Sequence, residues 1–178
     1  MQRFALSLLV TVAALTGCAS APTAPLPTVA SVDLARYAGA WYEVASLPNR
    51  FQKQCVADTQ ARYRQTGADI EVVNRCRTAD GKVDDITGVA KVVPDSGNAK
   101  LRVSFFRPFY GDYWVLALGS GQDYGWALVG EPTRQFGWVL SRTPQLPPSE
   151  LDAALTRAEA LGYARHAFKA TPQTQPLD

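Results

Sequence analysis

The stretch that decides the fold is Gly39-Ala40-Trp41-Tyr42-Glu43-Val44-Ala45, in which a glycine and a small residue lead into a tryptophan at the head of a strand-like run. A flexible glycine directly before a bulky ring suits a site where the chain turns sharply and plugs one end of a sheet. We therefore predict that Trp41 lies at the floor of a closed β-barrel. If the floor is sealed, the other end can open, and the barrel becomes a container.

The composition indicates one globular domain with a preference for strands. The chain has 178 residues, of which 47% are hydrophobic and 19% are charged, which allows one substantial core but not comfortably two. Four Trp, seven Tyr and seven Phe enrich it in side chains that favour sheets and line apolar pockets. A formal net charge of +2 gives no support to binding of nucleic acid.

The first 17 residues are predicted to be an export signal, with a basic start at Arg3 and an apolar run from 4 to 15. This run is too short to span a bilayer. Its end, Leu15-Thr16-Gly17-Cys18, resembles the lipobox of bacterial lipoproteins. The resemblance implies cleavage before Cys18 and lipid attachment to that residue. An ordinary secretory signal with a chance cysteine is the alternative.

The residue after Cys18 is Ala19 and not Asp. In bacterial lipoproteins, the residue at this position directs sorting between membranes. The resemblance therefore implies a lipid-anchored protein of the bacterial outer membrane, on its periplasmic face. Residues 18–31 then form a predicted flexible tether, because they combine prolines with Ala, Thr and Ser and lack an apolar period.

A meander of eight strands is predicted for the body of the chain. Short turns rich in Gly, Pro, Asn and Asp separate segments with strand-like composition, and consecutive antiparallel strands of this kind favour a closed up-and-down barrel without exposed edges. The predicted strands are 41–47, 56–64, 70–75, 86–93, 101–106, 112–118, 124–129 and 136–142.

Helical elements are predicted on either side of this meander. A single turn at 32–37, capped by Ser31 or Asp33, would cross the floor. A helix that opens at Ser149 and stops at Gly162 would pack outside the barrel. A last strand at 164–170 completes an all-β barrel domain over residues 32–171, and residues 172–178 form a polar tail.

Three motifs in this order resemble the conserved regions of the lipocalins, most closely the bacterial lipocalins and the apolipoprotein D type. They are Gly39-Ala40-Trp41-Tyr42, Gly111-Asp112-Tyr113 and Leu140-Ser141-Arg142-Thr143-Pro144. The resemblance covers residue 32 to the final strand. It implies an eight-stranded barrel that binds a small lipophilic molecule and needs no cofactor.

Gly39, Trp41 and Arg142 are predicted to be structural residues of the barrel floor. A guanidinium on an indole face gains roughly 1 to 2 kcal/mol when it is partly desolvated, and it also offers donors to nearby carbonyls. Arg142 above Trp41 would therefore clamp the last strand to the first.

Ligand-lining candidates follow from the alternation of side chains along a strand. If Arg142 points inward, Leu140, Trp138 and Phe136 do so as well, and Trp138, which lies farther from the floor, is the best candidate for the cavity wall. On the other strands the candidates are Tyr113, Val115, Phe106 and Trp126, or the residues one step over. These aromatics could equally fill the barrel, since an eight-stranded barrel is just wide enough for either outcome.

Cys55 and Cys76 remain after acylation of Cys18, and we predict that they form a disulfide. The protein is exported, and the hairpin between them brings the two residues back to the same neighbourhood. A reactive thiol, as in isomerase-type lipocalins, is the alternative, although no supporting base is apparent.

Other chemistry finds little support in the sequence. His166 is the only histidine and lies beyond the predicted external helix, while the adjacent Asp84 and Asp85 would face opposite sides of a strand. No metal-ligand cluster or phosphate-binding glycine loop is present. The prediction is a carrier without enzymatic activity that stores or transports a fatty acid or lysophospholipid in the envelope. A lipid-modifying enzyme using Cys55 or Cys76, and a filled barrel acting as an interaction module, are the alternatives.

Overall fold

A computed structural model describes residues 25–177. The predicted signal peptide at 1–17 and the predicted lipid-anchor residue Cys18 lie outside the described residues, so both stay predictions. Within residues 25–177, neither helix has the length and apolar character needed to cross a bilayer.

Eight antiparallel strands form one closed sheet, which confirms the predicted barrel. Each strand pairs with its neighbour in sequence, and β1 pairs with both β2 and β8, which closes the barrel. The strands are β1 Gly39–Ser46, β2 Cys55–Thr66, β3 Asp69–Thr78, β4 Val83–Val92, β5 Lys100–Phe106, β6 Phe109–Leu118, β7 Trp126–Gly130 and β8 Gly137–Ser141.

Helix α1, Leu34–Tyr37, crosses the floor end of the barrel, and its cap is Asp33. The Asp33 carboxylate accepts hydrogen bonds from the amides of Ala35 and Arg36. Of the two caps predicted, the aspartate is therefore the one used.

Helix α2, Pro148–Ala160, packs outside the barrel as predicted, but it begins one residue before Ser149, after the cap residue Pro147. Pro148 suits the first turn because it lacks an N–H and has a fixed φ. Gly162, at φ +87°, follows the end of the helix.

The final predicted strand at 164–170 is largely wrong. A 3₁₀ turn occupies Arg165–Ala167, and only Lys169–Ala170 forms a strand, β9, which pairs with the end of β1. The strand predicted at 124–129 also begins later than expected, because Tyr124 has a φ of +61° and β7 starts only at Trp126.

Two apolar clusters hold the fold together. One fills the floor half of the barrel, and the other lies between the outer face of the sheet and α2. Large, fully buried side chains in the first cluster include Trp41, Leu101, Val72, Val115 and Val129, and the second includes Leu116, Leu128 and Val139.

The C-terminal segment closes a seam in the barrel. Strands β1 and β2 pair only from Gly39 to Tyr42 and then diverge. The chain after β9 runs between them: the Thr171 amide donates to the Val44 carbonyl, and the Asp58 amide donates to the Pro172 carbonyl. Because buried backbone groups need partners, the tail supplies those that the diverging strands lack. The predicted polar tail is therefore part of the barrel wall.

The chain ahead of α1 also packs on the barrel. Leu26 is 5% exposed in the cluster under α2, and the Val29 amide donates to the Val115 carbonyl. The predicted tether over 18–31 is thus shorter than expected, because its second half carries apolar side chains that the barrel covers.

Candidate ligand-binding site

The floor of the barrel is built around Arg142 and Trp41. The guanidinium carbon of Arg142 lies 3.8 Å from the centroid of the Trp41 ring, and its nitrogens donate to the carbonyls of Ala38 and Ala40 at 3.0 and 2.9 Å. Trp41 is fully buried and donates from its indole N–H to the Tyr37 carbonyl at 2.8 Å. Gly39, at φ +93°, makes the sharp entry into β1. That these residues act on stability and not on ligand binding stays a prediction.

A cluster of three tyrosine hydroxyls lies inside the barrel beside this floor. The Tyr113 hydroxyl is 2.8 Å from that of Tyr37 and accepts from that of Tyr63 at 2.9 Å. Burial raises the pKa of Tyr63 to about 12 and raises the pKa values of Tyr37 and Tyr113 as well. The bottom of the interior is thus polar but uncharged. The sequence prediction included Tyr113 but missed its two partners.

The upper wall contains Trp138, which faces the interior as predicted. Its strand neighbour Leu140 is also inside, and Val115 belongs to the same interior cluster. Trp138 and Tyr113 are only partly buried, as are the inward-facing Val103 and Phe105. Partial exposure of inward-facing side chains indicates space in the half of the barrel above the floor.

Trp126 does not face the interior. It packs on the cluster beneath α2, and its ring covers Gly119 on the outer side. Ala127 and Val129, one step over, are the inward residues of this strand. The prediction that Trp126 lines the cavity is therefore wrong. An irregularity in the pairing of β6 with β7 shifts the register between Val115 and Ala117.

Phe106 is also outside the interior. It is 71% exposed beside the β5–β6 turn, whereas its neighbour Phe105 points inward and covers Gly88. A register shift between Val103 and Phe106 accompanies this arrangement. Phe106 therefore belongs to the rim of the open end, together with Phe109, which is 77% exposed.

An aromatic stack leads from the rim to the interior wall. Phe51, 61% exposed, packs on Phe136 with ring centroids 5.5 Å apart, and Phe136 stacks on Trp138 with centroids 6.3 Å apart. The three rings form a continuous apolar surface from solvent to Trp138. The sequence predicted that Phe136 and Trp138 point inward and named Trp138 as a ligand contact, whereas Phe51 was not predicted.

The loop over residues 47–54, which we call the mouth loop, is tied to the interior by Gln52. Its side-chain oxygen accepts from the Trp138 indole at 3.0 Å, and its side-chain nitrogen donates to the Glu43 carboxylate at 2.7 Å. Glu43 is 5% exposed and also accepts from the hydroxyls of Ser46 and Thr171. This polar network was not predicted, although Glu43 stands two residues after the inward-facing Trp41.

Cys55 and Cys76 form the predicted disulfide, with Cα atoms 5.5 Å apart. The bridge joins β2 to β3. Cys55 and Cys76 are the cysteines of the described part of the chain, and neither is a free thiol there. Residues 25–177 also contain no group of three His, Cys, Asp or Glu side chains that could hold a metal ion.

Comparison with known proteins identifies the family. A family model described as a lipocalin-like domain matches residues 32–173, which is most of the chain. The chain belongs to the lipocalin family. This confirms the resemblance read from the three motifs, and members of the family are generally binding proteins and not enzymes.

Several named proteins are similar to this lipocalin. Temperature-induced lipocalin-1 of Arabidopsis thaliana is 37% identical over 158 residues, covering 84% of this chain and 83% of that protein. Outer membrane lipoprotein Blc of Citrobacter freundii is 36% identical over 157 residues, covering 86% and 88%. Apolipoprotein D of Mus musculus is 36% identical over 137 residues, covering 70% and 68%.

Solved structures share the fold of this lipocalin at lower identity. Insecticyanin from the tobacco hornworm Manduca sexta has a TM-score of 0.67 at 23% identity, covering 83% of this chain and 84% of that one. Lobster apocrustacyanin A1 has a TM-score of 0.66 at 15% identity, covering 88% and 94%. These likenesses concern the fold alone.

Proposed function

We propose that this lipocalin binds a fatty acid or lysophospholipid and stores or transports it within the bacterial cell envelope. The observation that carries the proposal is the stack of Phe51, Phe136 and Trp138, which runs from the open rim to a partly exposed position on the inner wall. An acyl chain laid along it would leave water at roughly 0.8 kcal/mol per methylene. The uncharged floor would receive the end of the chain, and the head group would stay at the mouth.

A lipid anchor at Cys18 on the periplasmic face of the outer membrane is part of the same proposal. It is supported by Leu15-Thr16-Gly17-Cys18 and by similarity to relatives that are named outer membrane lipoproteins. Several acyl chains on one cysteine would give stable anchoring where a single chain would not. Residues 19–24 would then link the anchor to the packed segment that contains Leu26.

The proposed activity requires no covalent chemistry. The disulfide between Cys55 and Cys76 supports a function without covalent chemistry, because a cysteine in a disulfide supplies no thiolate nucleophile. The ligand would enter and leave unchanged, and its affinity would come from burial of the chain.

Calorimetric titration with saturated fatty acids of 12, 14 and 16 carbons tests the proposal. Each added methylene should tighten binding by about fourfold, since roughly 0.8 kcal/mol separates successive chains. Trp138→Ala should weaken binding of the 16-carbon acid by at least about tenfold. Trp126→Ala is the matched control, because that ring lies on the outer face. Affinity that is independent of chain length, or equal losses in the two variants, would contradict the proposal.

A further inference from the structure

The feature that the proposed function leaves unexplained is Glu43, an acidic side chain on the inner face of β1. It is 5% exposed, and its carboxylate accepts hydrogen bonds from Ser46, Gln52 and Thr171 at 2.8, 2.7 and 2.5 Å. All three donors are neutral. The salt bridges formed within residues 25–177 do not include Glu43. Buried carboxylates are usually paired with a cation, because an uncompensated charge is costly away from water.

A cleft opens beside this carboxylate, at the seam where β1 and β2 diverge. It encloses about 340 Å³, which lies within the range of roughly 300 to 1,000 Å³ typical of ligand sites. Polar groups of Ser46, Asn49 and Gln52 line it with Glu43. Lys53 and Lys169, both exposed, contribute to the same cleft. The site thus combines one buried negative group with two positive groups that face solvent.

The cleft adjoins the part of the barrel that would receive the acyl chain. Glu43 is paired across the sheet with Leu140, and Ser46 with Trp138, so the side chains of each pair lie on the same inner face. Gln52 contacts both Glu43 and Trp138. A head group beside Glu43 would therefore be close to a chain that packs on Trp138.

We propose that this cleft binds the ammonium group of a lipid head group, with Glu43 as its counter-ion. The inference rests on the proposed function and makes it specific. It assigns as ligand a lysophospholipid whose ammonium lies one short linker from its phosphate. Lys53 and Lys169 face the phosphate, and Glu43 disfavours any ligand that places an anion at the same point.

The test compares two lysophospholipids with the same palmitoyl chain, one with an ethanolamine and one with a glycerol head group, by calorimetric titration of the full chain. The ethanolamine lipid should bind at least about tenfold tighter, as expected for a charge-assisted bond at a buried site. Glu43→Gln should reduce this ratio to within about twofold, because it removes the charge that favours the ethanolamine head group.

Glu71→Gln is the matched control, since Glu71 pairs with Arg64 on the outer face and should leave the ratio as it is. Equal binding of the two lipids by the wild-type protein would overturn the ammonium site and leave the proposed function standing, and this comparison needs no variant. An unchanged ratio in Glu43→Gln would also overturn the site. Failure of both lipids and of palmitate to bind would instead overturn the proposed function.

Discussion

The guanidinium carbon of Arg142, just beyond the last barrel strand, lies 3.8 Å from the centroid of the Trp41 ring in the first. The same guanidinium donates to carbonyls on both sides of the turn into β1. We expect Arg142→Ala to lower the free energy of unfolding by about 3 kcal/mol, because it removes both the ring contact and these charged hydrogen bonds. Urea denaturation measures this loss.

Arg142→Lys is a useful second variant. The lysine side chain keeps the positive charge, but it lacks the planar guanidinium that donates to several carbonyls at once. It should recover only a minor part of the lost stability. Palmitate affinity per folded molecule should stay the same in both variants. Loss of binding with an unchanged melting temperature would contradict the assignment of Arg142 to the floor.

The tyrosine cluster predicts a loss of stability at high pH. The folded-state pKa of Tyr63 is about 12 against an ordinary value of 10.0, so the unfolded chain ionises first as the pH rises. The contribution of Tyr63 to stability is fully present below about pH 10 and is lost between pH 10 and 12. The free energy of unfolding should fall by about 1.4 kcal/mol per pH unit for this one group. Unfolding in urea at pH 9, 10 and 11 measures the slope.

Tyr63→Phe removes one of these groups and should make the slope shallower. Absorbance near 295 nm measures tyrosine ionisation directly and can contradict this account. Complete ionisation of all seven tyrosines at pH 11, with native circular dichroism, would show that the cluster is open to solvent.

The disulfide predicts a measurable difference between oxidised and reduced protein. Cys55 and Cys76 are separated by 21 positions, and closing a loop of this size contributes about 3 kcal/mol. The double variant Cys55→Ser, Cys76→Ser should be less stable by about that amount. Thiol titration of the folded protein should find neither cysteine free, and a reactive thiol at either position would restore the enzymatic alternative.

The closure of the seam by the C-terminal segment depends on Asp58. Its side chain is fully buried, forms a 2.7 Å salt bridge with Arg77 and accepts from the amides of Thr174 and Gln175. Burial acts to raise the pKa of Asp58, but hydrogen bonds from Arg77, Gln175 and Thr174 outweigh it and hold the pKa below its usual value. Asp58→Asn should cost about 3 kcal/mol at pH 7, since it removes the carboxylate that pairs with Arg77.

Asparagine is the suitable replacement because Asp58 has a φ of +55°, which this residue tolerates. The Asp58 contribution is present above the ordinary pKa of 3.8 and is lost as the pH falls through the lower folded-state value. The stability difference between wild type and variant should therefore shrink in strong acid. A difference that stays constant down to pH 2 would contradict this role.

The barrel could be predicted from the sequence because its signals are local. Each signal depends on a few neighbouring residues. The signals are Gly39 before Trp41, the turns between strands, and the spacing of Arg142, Leu140 and Trp138. The same alternation predicts that Glu43 shares the inner face with Trp41. An acidic residue at an inward position is the signal from which the polar network could have been predicted.

The wrong placements of Phe106 and Trp126 have a common cause. Alternation along a strand shows which side chains share a face but not which face is the inner one. The inward residues are Val103 and Phe105 in β5, and Ala127 and Val129 in β7, each one step from the predicted residue. The wall formed by the C-terminal segment was missed for another reason. Its residues have no apolar period, and their partners are backbone groups of β1 and β2 that become available only once the barrel has formed.

Lipid binding inside the barrel is tested most directly by native mass spectrometry of the protein after extraction from its membrane. We expect a 1:1 complex with a co-purified fatty acid or lysophospholipid, retained in Trp126→Ala and lost or strongly reduced in Trp138→Ala. A correctly folded protein that remains free of lipid after incubation with excess palmitate and palmitoyl lysophospholipid would contradict the carrier function and favour a filled barrel.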